Sequence, residues 1–225
     1  MMRLFLIIVN VAILLFLSAC TSLQGSPSPL SSAPTESSAS VQKAQEQFYR
    51  ESGLASWYGR EYHGKKTANG EVFDMYGISA AHRILPLGTV VRVTNLDNSK
   101  SILVRINDRG PFIKSRILEL SYGSAQELGC VERGIAHVKL EATDITLIPA
   151  RYTVLAAVYT EEDSAKTLKY RLSSKFEVVT ITQLETNIAT FFTVRVGIYP
   201  SQERAEQIVN KLRMEGLEPL VLRKD

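Results

Sequence analysis

The hydrophobic and polar positions divide the chain into four stretches with different patterns. Residues 4–17 are almost uniformly apolar, and residues 21–40 are poor in apolar side chains. Between 53 and 145, short alternating or β-branched segments are separated by turn signals, as in a small closed β-barrel. From about residue 150 onward, a strand–helix–strand pattern occurs twice. We therefore predict a leader, a linker, a mainly β domain and an α+β domain, in that order.

The apolar stretch has the features of a secretory signal. Arg3 precedes it as a positive flank, and it is shorter than the roughly 20 apolar residues of a membrane helix. It ends in Leu-Ser-Ala-Cys at residues 17–20, which resembles the bacterial lipoprotein signal. The resemblance implies a signal peptide at 1–20 and a lipid on Cys20 that holds the protein to a membrane. Because Thr21 rather than Asp follows, it also implies sorting to the outer membrane, facing the periplasm. The alternative is an ordinary signal or short anchor helix with an incidental cysteine.

Composition and charge bear on the segment after the signal and on the class of partner. Residues 21–52 are expected to form a flexible linker, since eight of residues 21–40 are Ser and three are Pro, too little apolar surface to offset the entropy of ordering. A net charge of +3 without a basic arm predicts no nucleic-acid partner.

His63 and His137 lack metal-ligand spacing, and two cysteines cannot form a four-cysteine zinc site, so we predict no metal and no cofactor. Cys130 is interpreted as a small buried hydrophobe.

Residues 150–225 contain an internal repeat. A shift of forty positions aligns Tyr159 with Tyr199 and Ala165 with Ala205. In the second copy, a β-branched strand over 191–198 is followed by Ser201, a predicted helix N-cap, and by apolar residues at helical spacing. Two such units predict a four-stranded sheet with two helices on one face, a ferredoxin-like arrangement.

The second copy resembles the SPOR domain of bacterial division proteins. Residues 192–199, Phe-Thr-Val-Arg-Val-Gly-Ile-Tyr, carry most of the match together with Ala205 and Gly216. The resemblance implies that residues 150–225 bind peptidoglycan glycan strands lacking stem peptides. The opening strand of the first copy, 153–158, lacks the Gln and Gly that are usual there. The alternative is a stabilising appendage that binds nothing.

Three segments of the mainly β domain carry polar and aromatic residues that barrel packing does not require. They are residues 55–59 with Trp57 and Tyr58, residues 67–74 with Asn69 and Glu71, and residues 107–112 with Asp108 and Arg109. Loops at strand ends commonly hold binding and catalytic side chains. We therefore treat these segments as candidates for a functional site.

Together with residues 80–83, which contain His82, and residues 85–89, these segments resemble the rare lipoprotein A family. Five separated motifs occur in order over residues 53–145, and the succession of lipoprotein signal, linker, barrel and SPOR domain also agrees. The resemblance implies a six-stranded double-psi β-barrel at 53–145 as the catalytic domain, followed by the SPOR domain. It further implies a septal-ring lytic transglycosylase that cuts peptide-free glycan strands, with septal-ring proteins as partners and enrichment at the division septum.

The family's catalytic acid, glutamate and histidine match Asp108, Glu71 and His82. Glycoside cleavage needs a proton donor to the leaving oxygen and stabilisation of an oxocarbenium-like centre. One acid/base suffices when the 6-hydroxyl of muramic acid is the nucleophile, and this role suits Asp108. Glu71 is expected to raise the pKa of Asp108 or stabilise positive charge, and His82 to orient a carboxylate or bind sugar. The expected substrate-binding residues are Trp57, Tyr58, Asn69 and Arg109.

Each assignment has a structural alternative. Asp108 could pair with Arg109, Glu71 could be a solvated loop acid, and His82 could be a satisfied structural histidine. Glu119 stands where family members often have Asp, and no role is assigned to it. For the whole chain, the alternative function is a non-catalytic, glycan-binding division lipoprotein with the same fold.

Overall fold

The computed structural model describes residues 48–142 and 150–224. The predictions of a signal peptide at 1–20, a lipid on Cys20 and most of the linker therefore lie outside the described residues. The first strand begins at Tyr49, four residues before the predicted start of the barrel. Residues 49–52 belong to the sheet because Tyr49 to Ser52 pair with Ala142 to Lys139 of the last barrel strand.

Six strands close into a barrel in the N-terminal domain. In chain order they are β1 (Tyr49–Tyr58), β2 (Ser79–His82), β3 (Val90–Asn95), β4 (Ser101–Asp108), β5 (Arg116–Ser121) and β6 (Ile135–Ala142). Around the barrel the order is β1-β5-β2-β4-β3-β6, with parallel pairing of β1 to β5 and of β2 to β4. The predicted six-stranded barrel is confirmed.

Alternation of apolar and polar residues orients the barrel strands. In β3, Val91 and Val93 are fully buried whereas Val90 is half exposed, because successive side chains of a strand point to opposite faces. The short helix α1 (Tyr122–Glu127) follows β5, and the Ser121 hydroxyl accepts a hydrogen bond from the backbone N–H of Ser124. Ser121 is therefore the N-cap of α1.

The C-terminal domain is a four-stranded antiparallel sheet with two helices. Its elements are β7 (Arg151–Tyr159), α2 (Glu162–Ser173), β8 (Val179–Glu185), β9 (Thr190–Tyr199), α3 (Gln202–Arg213) and β10 (Leu220–Lys224). The strand order β10-β7-β9-β8 is that of a ferredoxin-like fold, which confirms the prediction. The aligned repeat residues Ala165 and Ala205 are both fully buried under their helices. Ser201 caps α3 by accepting a hydrogen bond from the Arg204 N–H.

The two domains are in direct contact. Phe112 of the barrel packs against a buried cluster formed by Leu155, Leu220 and Leu222. The Arg223 N–H donates to the Arg83 carbonyl at 2.9 Å. None of the helices in the described ranges is long and apolar enough to cross a membrane.

Candidate active site

Two carboxyl side chains flank one residue of strand β2. Ala81 is the register partner of Asp108 on β4 and of Glu119 on β5. Because directly paired residues in a sheet point to the same face, the two carboxyl groups stand on either side of the Ala81 methyl group. Their Cα atoms are two strand spacings apart, about 10 Å, and both side chains reach into the same cavity.

The cavity has a volume of about 250 Å³ and contains residues of both domains. Besides the two carboxyls, the barrel contributes aromatic and cationic side chains, which are Tyr58, Tyr62, Phe73, Phe112, Lys65, Lys66 and Arg109. The second domain contributes residues 182–185 of β8 and Arg195 of β9. Carboxyls, aromatic side chains and several cations make a largely apolar cleft with a few charged groups, which is suited to binding a sugar.

Burial dominates the electrostatics of Asp108. Its Oδ1 accepts hydrogen bonds from the backbone N–H groups of Ala68 at 2.9 Å and Arg109 at 2.8 Å. These bonds and the Arg109 charge favour the ionised form, yet burial outweighs them and raises the pKa of Asp108. A raised pKa brings a carboxyl group closer to the range in which it can donate a proton at neutral pH.

Glu119 is the second carboxyl group of the cavity. Burial raises its pKa to about 7, and the charge of Asp108 acts in the same direction, against the opposing effect of Arg116. The Arg116 guanidinium lies 3.9 Å from Glu119 Oε1. Sequence reasoning assigned Glu119 no role. The sequence does contain a feature that could have indicated a functional role for Glu119. This acid interrupts the apolar run Ile117, Leu118, Leu120, whose members are all buried.

Tyr58 lines the cavity and carries a buried hydroxyl group. Its ring stacks on Phe73, with 4.4 Å between centroids. Its hydroxyl is buried and finds no hydrogen-bond partner among residues 48–142 and 150–224. Burial, with the charges of Asp108 and Glu119 next in size, raises the pKa of Tyr58. The hydroxyl therefore stays protonated and can donate to a bound ligand.

Comparisons with known proteins agree with this architecture. A family profile described as "Lytic transglycolase" matches residues 50–140, and the SPOR domain profile matches residues 149–223. The endolytic peptidoglycan transglycosylase RlpA of Neisseria meningitidis serogroup B is 38% identical over 170 residues, which cover 71% of this chain and 70% of that protein. The chain belongs to the rare lipoprotein A family.

Two further relatives have the same name. The Pseudomonas aeruginosa RlpA is 57% identical over 96 residues, which are 43% of this chain and 28% of that protein. The Helicobacter pylori RlpA is 38% identical over 165 residues, which are 73% of this chain and 49% of that protein. The chain thus spans half or less of the length of these two rare lipoprotein A relatives.

Of the residues that the family resemblance singles out, Asp108, Tyr58 and Arg109 line the cavity. The Arg109 side chain also forms two hydrogen bonds to backbone carbonyls. Its Nη1 donates to the His82 carbonyl at 3.1 Å and its Nε donates to the Arg223 carbonyl at 3.2 Å. Arg109 therefore lines the cavity and also joins β2 to the second domain.

Glu71 lies beside the cavity and does not line it. It forms a two-pronged ion pair with Arg105, at 2.8 and 2.9 Å, and the hydrogen bonds from Arg105 lower its pKa to about 2. Its backbone carbonyl accepts from the Thr67 N–H, within the turn that directs the Ala68 N–H to Asp108. Glu71 is thus ionised at neutral pH, and its catalytic role stays a prediction.

Asn69 belongs to the same turn. Its Oδ1 accepts hydrogen bonds from the Thr67 hydroxyl at 2.6 Å and the Glu71 N–H at 3.1 Å. Trp57 lies elsewhere, where its Nε1 donates to the Val131 carbonyl and its ring meets Tyr122 edge-on. Neither residue lines the cavity, so substrate binding by either stays a prediction.

His82 is 2% exposed and its ring is not part of the cavity wall. Its Nδ1 accepts from the N–H groups of Ile84 and Leu85, at 3.2 and 3.0 Å. This leaves Nε2 to carry the proton, which it donates to Glu51 at 3.0 Å. Burial lowers the pKa of His82, so the ring is neutral at pH 7. Its connection to the cavity is the carbonyl that holds Arg109, and a catalytic role for the ring stays a prediction.

Cys130 is buried, as the sequence predicts. Among residues 48–142 and 150–224, no group of three His, Cys, Asp or Glu side chains is arranged to hold a metal ion.

Proposed function

We propose that the chain is an endolytic lytic transglycosylase that cleaves the glycan strands of peptidoglycan. The observation that carries the proposal is the pair of partly buried carboxyls, Asp108 and Glu119, which line one cleft together with aromatic side chains. The names of the rare lipoprotein A relatives, endolytic peptidoglycan transglycosylases, support the same reaction class. One carboxyl with its proton and one without it are the groups that glycosidic cleavage uses.

The carboxyl pair supplies one proton to the reaction. Two like charges at one site do not both ionise readily, so the pair retains a proton up to about the pKa of 7 of Glu119. In the proposed reaction, Asp108, whose pKa is raised by burial, donates its own proton to the glycosidic oxygen as the bond from that oxygen to the muramic acid C1 breaks. The neighbouring ionised carboxylate stabilises the positive charge that develops at C1.

The second step needs no water. The 6-hydroxyl of the same muramic acid attacks C1, forms the C1–O6 bond and returns its proton to Asp108. The product is a 1,6-anhydromuramic end, and the acid is ready for another cycle. The Tyr58 hydroxyl has no hydrogen-bond partner among the described residues, which supports a role as a donor to the sugar if substrate binding exposes it.

We further propose that the substrate is glycan without stem peptides and that the protein acts at the division septum. The SPOR domain match at residues 149–223 supports a second binding module for such strands, which would raise the local substrate concentration around the cleft. The pattern at residues 17–20 supports an outer-membrane lipoprotein facing the periplasm. The Ser- and Pro-rich linker would then let both domains reach the cell wall.

Digestion of cell-wall sacculi tests this function. Residues 21–225 are incubated with amidase-treated sacculi and with untreated ones, and anhydro-ended sugars are measured by mass spectrometry. We expect product from the amidase-treated sacculi, and we expect Asp108→Asn to reduce its rate by at least a hundredfold. Asp163→Asn, at an exposed position in α2, is the matched control and should retain the full rate.

Two results would contradict the proposal. Retention of the strands without any anhydro product would favour the non-catalytic, glycan-binding alternative. Equal rates from wild type and Asp108→Asn would show that the reaction does not use this carboxyl group.

A further inference from the structure

The second domain forms part of the cavity that contains the catalytic carboxyls. Residues 182–185 of β8 and Arg195 of β9 line it together with Asp108 and Glu119. The β8–β9 turn is attached to the barrel through Asn187, whose Nδ2 donates to the carbonyls of Arg60 at 3.0 Å and His63 at 3.1 Å. A residue of the second domain can therefore contact a sugar that is bound at the carboxyl pair.

Arg195 is the cationic group on this part of the wall. Its Nε donates to the Thr193 hydroxyl at 3.3 Å, so the side chain runs along β9 toward Thr182, the register partner of Thr193. Within residues 48–142 and 150–224, its two terminal nitrogens have no hydrogen-bond acceptor, and no carboxylate lies within ion-pair distance. Burial is the sole cause of the lowered pKa of this guanidinium.

A half-buried guanidinium without an anion is costly, and a ligand that supplies the anion recovers that cost. The planar fork of arginine matches a carboxylate, which accepts two parallel hydrogen bonds from it. Neither of the two carboxyls on the cavity floor is paired with Arg195 in the part of the chain that the structure describes. The acceptor that Arg195 lacks can thus come from the substrate.

Peptide-free glycan has such a group. Once the stem peptide is removed, each muramic acid carries a free lactyl carboxylate on O3. When the peptide is present, the same carbon is a neutral amide. The reacting C1 and the O3 substituent belong to one sugar ring, so a residue on the cavity wall can contact the lactyl group while the carboxyls act at C1.

We propose that Arg195 binds the lactyl carboxylate of the muramic acid whose glycosidic bond is cleaved. This assignment rests on the proposed function and extends it, because the choice of peptide-free strands is then made in the cleavage site itself by a residue of the second domain. A charge-assisted, two-pronged contact is stronger than a single bond to a neutral amide carbonyl. The expected discrimination is about tenfold to a hundredfold in kcat/KM.

Two substrates that differ only at this group test the proposal. The first is soluble peptide-free glycan, and the second is the same glycan with its lactyl carboxylates converted to methylamides. On wild type, we expect kcat/KM to be about tenfold to a hundredfold lower for the methylamide. Arg195→Gln should lose a similar factor on the free carboxylate and show almost no further loss on the methylamide, because the two changes remove the same contact. Arg195→Lys should recover part of the discrimination.

Two controls distinguish loss of the Arg195 contact from loss of folding. Arg171→Gln changes an exposed arginine of α2 and should keep the discrimination of wild type. Thermal melting of each variant verifies that the second domain is folded. Wild-type discrimination in Arg195→Gln overturns the proposal.

A binding measurement keeps this test independent of the proposed reaction. Asp108→Asn is titrated with both glycans, alone and combined with Arg195→Gln. If wild type forms no anhydro product, the proposed function fails. A preference of Asp108→Asn for the free carboxylate that disappears with Arg195→Gln would still support the assignment of Arg195, and a preference that remains would overturn it.

Discussion

At the scale of the residue, Glu119 has the largest consequence for how the site works. Its pKa of about 7 has burial as its first cause and the charge of Asp108 among its others. The pair therefore exchanges its last proton within the physiological range, whereas an isolated, exposed glutamate does so near pH 4. A proton held at neutral pH is what the proposed first step consumes.

We expect the pH dependence of kcat/KM to reveal this pair. In wild type, activity should fall as pH rises above about 7, because the last proton leaves the pair. In Glu119→Gln, only Asp108 can hold the proton and no neighbouring charge helps to retain it. The alkaline limb should then move to lower pH by roughly one unit or more. Initial rates of anhydro-sugar release between pH 4 and 9 measure it.

A matched substitution sets the baseline for that measurement. Glu127→Gln changes an exposed glutamate at the end of α1 and should leave the profile of wild type unchanged. An alkaline limb that stays at the same pH in Glu119→Gln would mean that Glu119 is not coupled to the catalytic proton.

At the scale of the element, the turn over residues 67–71 determines how Asp108 is held. The turn is closed by the bond from the Thr67 N–H to the Glu71 carbonyl, and its Ala68 N–H donates to Asp108. The Glu71 side chain joins the turn to β4 through Arg105. Glu71, which the family resemblance marks as catalytic, therefore belongs to the turn that donates a hydrogen bond to the Asp108 carboxylate.

A double-variant experiment distinguishes support from catalysis. If Glu71 acts by holding the turn, Glu71→Gln and Arg105→Gln should each lower kcat/KM by about tenfold, since a small misplacement of a reacting group is costly. The double variant should lose no more than either single one. The pH profile should keep its shape, because Glu71, with a pKa of about 2, is ionised throughout. A far greater loss in Glu71→Gln than in Arg105→Gln would indicate a direct catalytic role.

At the scale of the whole molecule, the second domain is part of the cleft as well as a proposed anchor. Phe112 against Leu155, the Arg223 to Arg83 bond and the Asn187 bonds all join the domains around it. The position of Arg195 relative to the carboxyls therefore depends on contacts between the two domains. Loosening these contacts is expected to weaken substrate binding before it affects the chemistry.

Asn187→Ala tests this dependence. The substitution removes the two side-chain hydrogen bonds to Arg60 and His63, which together contribute about 1–2 kcal/mol. We expect KM on peptide-free glycan to rise by roughly threefold to tenfold with little change in kcat. Asn210→Ala, at an exposed position in α3, is the control and should keep the KM of wild type. An unchanged KM in Asn187→Ala would show that the β8–β9 turn does not position the cavity wall.

Much of the fold follows from local patterns. The caps at Ser121 and Ser201 involve residues three positions apart. The repeat that aligns Tyr159 with Tyr199 is visible in the sequence because each copy has the same local strand–helix–strand pattern. Alternation along β3 similarly depends on the geometry of a single strand. The order of domains and the family could therefore be predicted, because such signals survive when the rest of the structure is unknown.

The composition of the site depended on strand register and domain contact. Glu119 meets Asp108 because both pair with Ala81. The ring of His82 instead lies against Glu51, 31 positions away. Neither relation has a sequence signature, since pairing between distant strands is decided by the closure of the whole barrel. Arg195 joins the cleft through packing between two domains, which no pattern within either domain encodes. Local sequence patterns were thus enough to predict the folds and the family and to make Asp108 a candidate acid, whereas strand register and domain packing placed Glu119 and Arg195 at the same cavity.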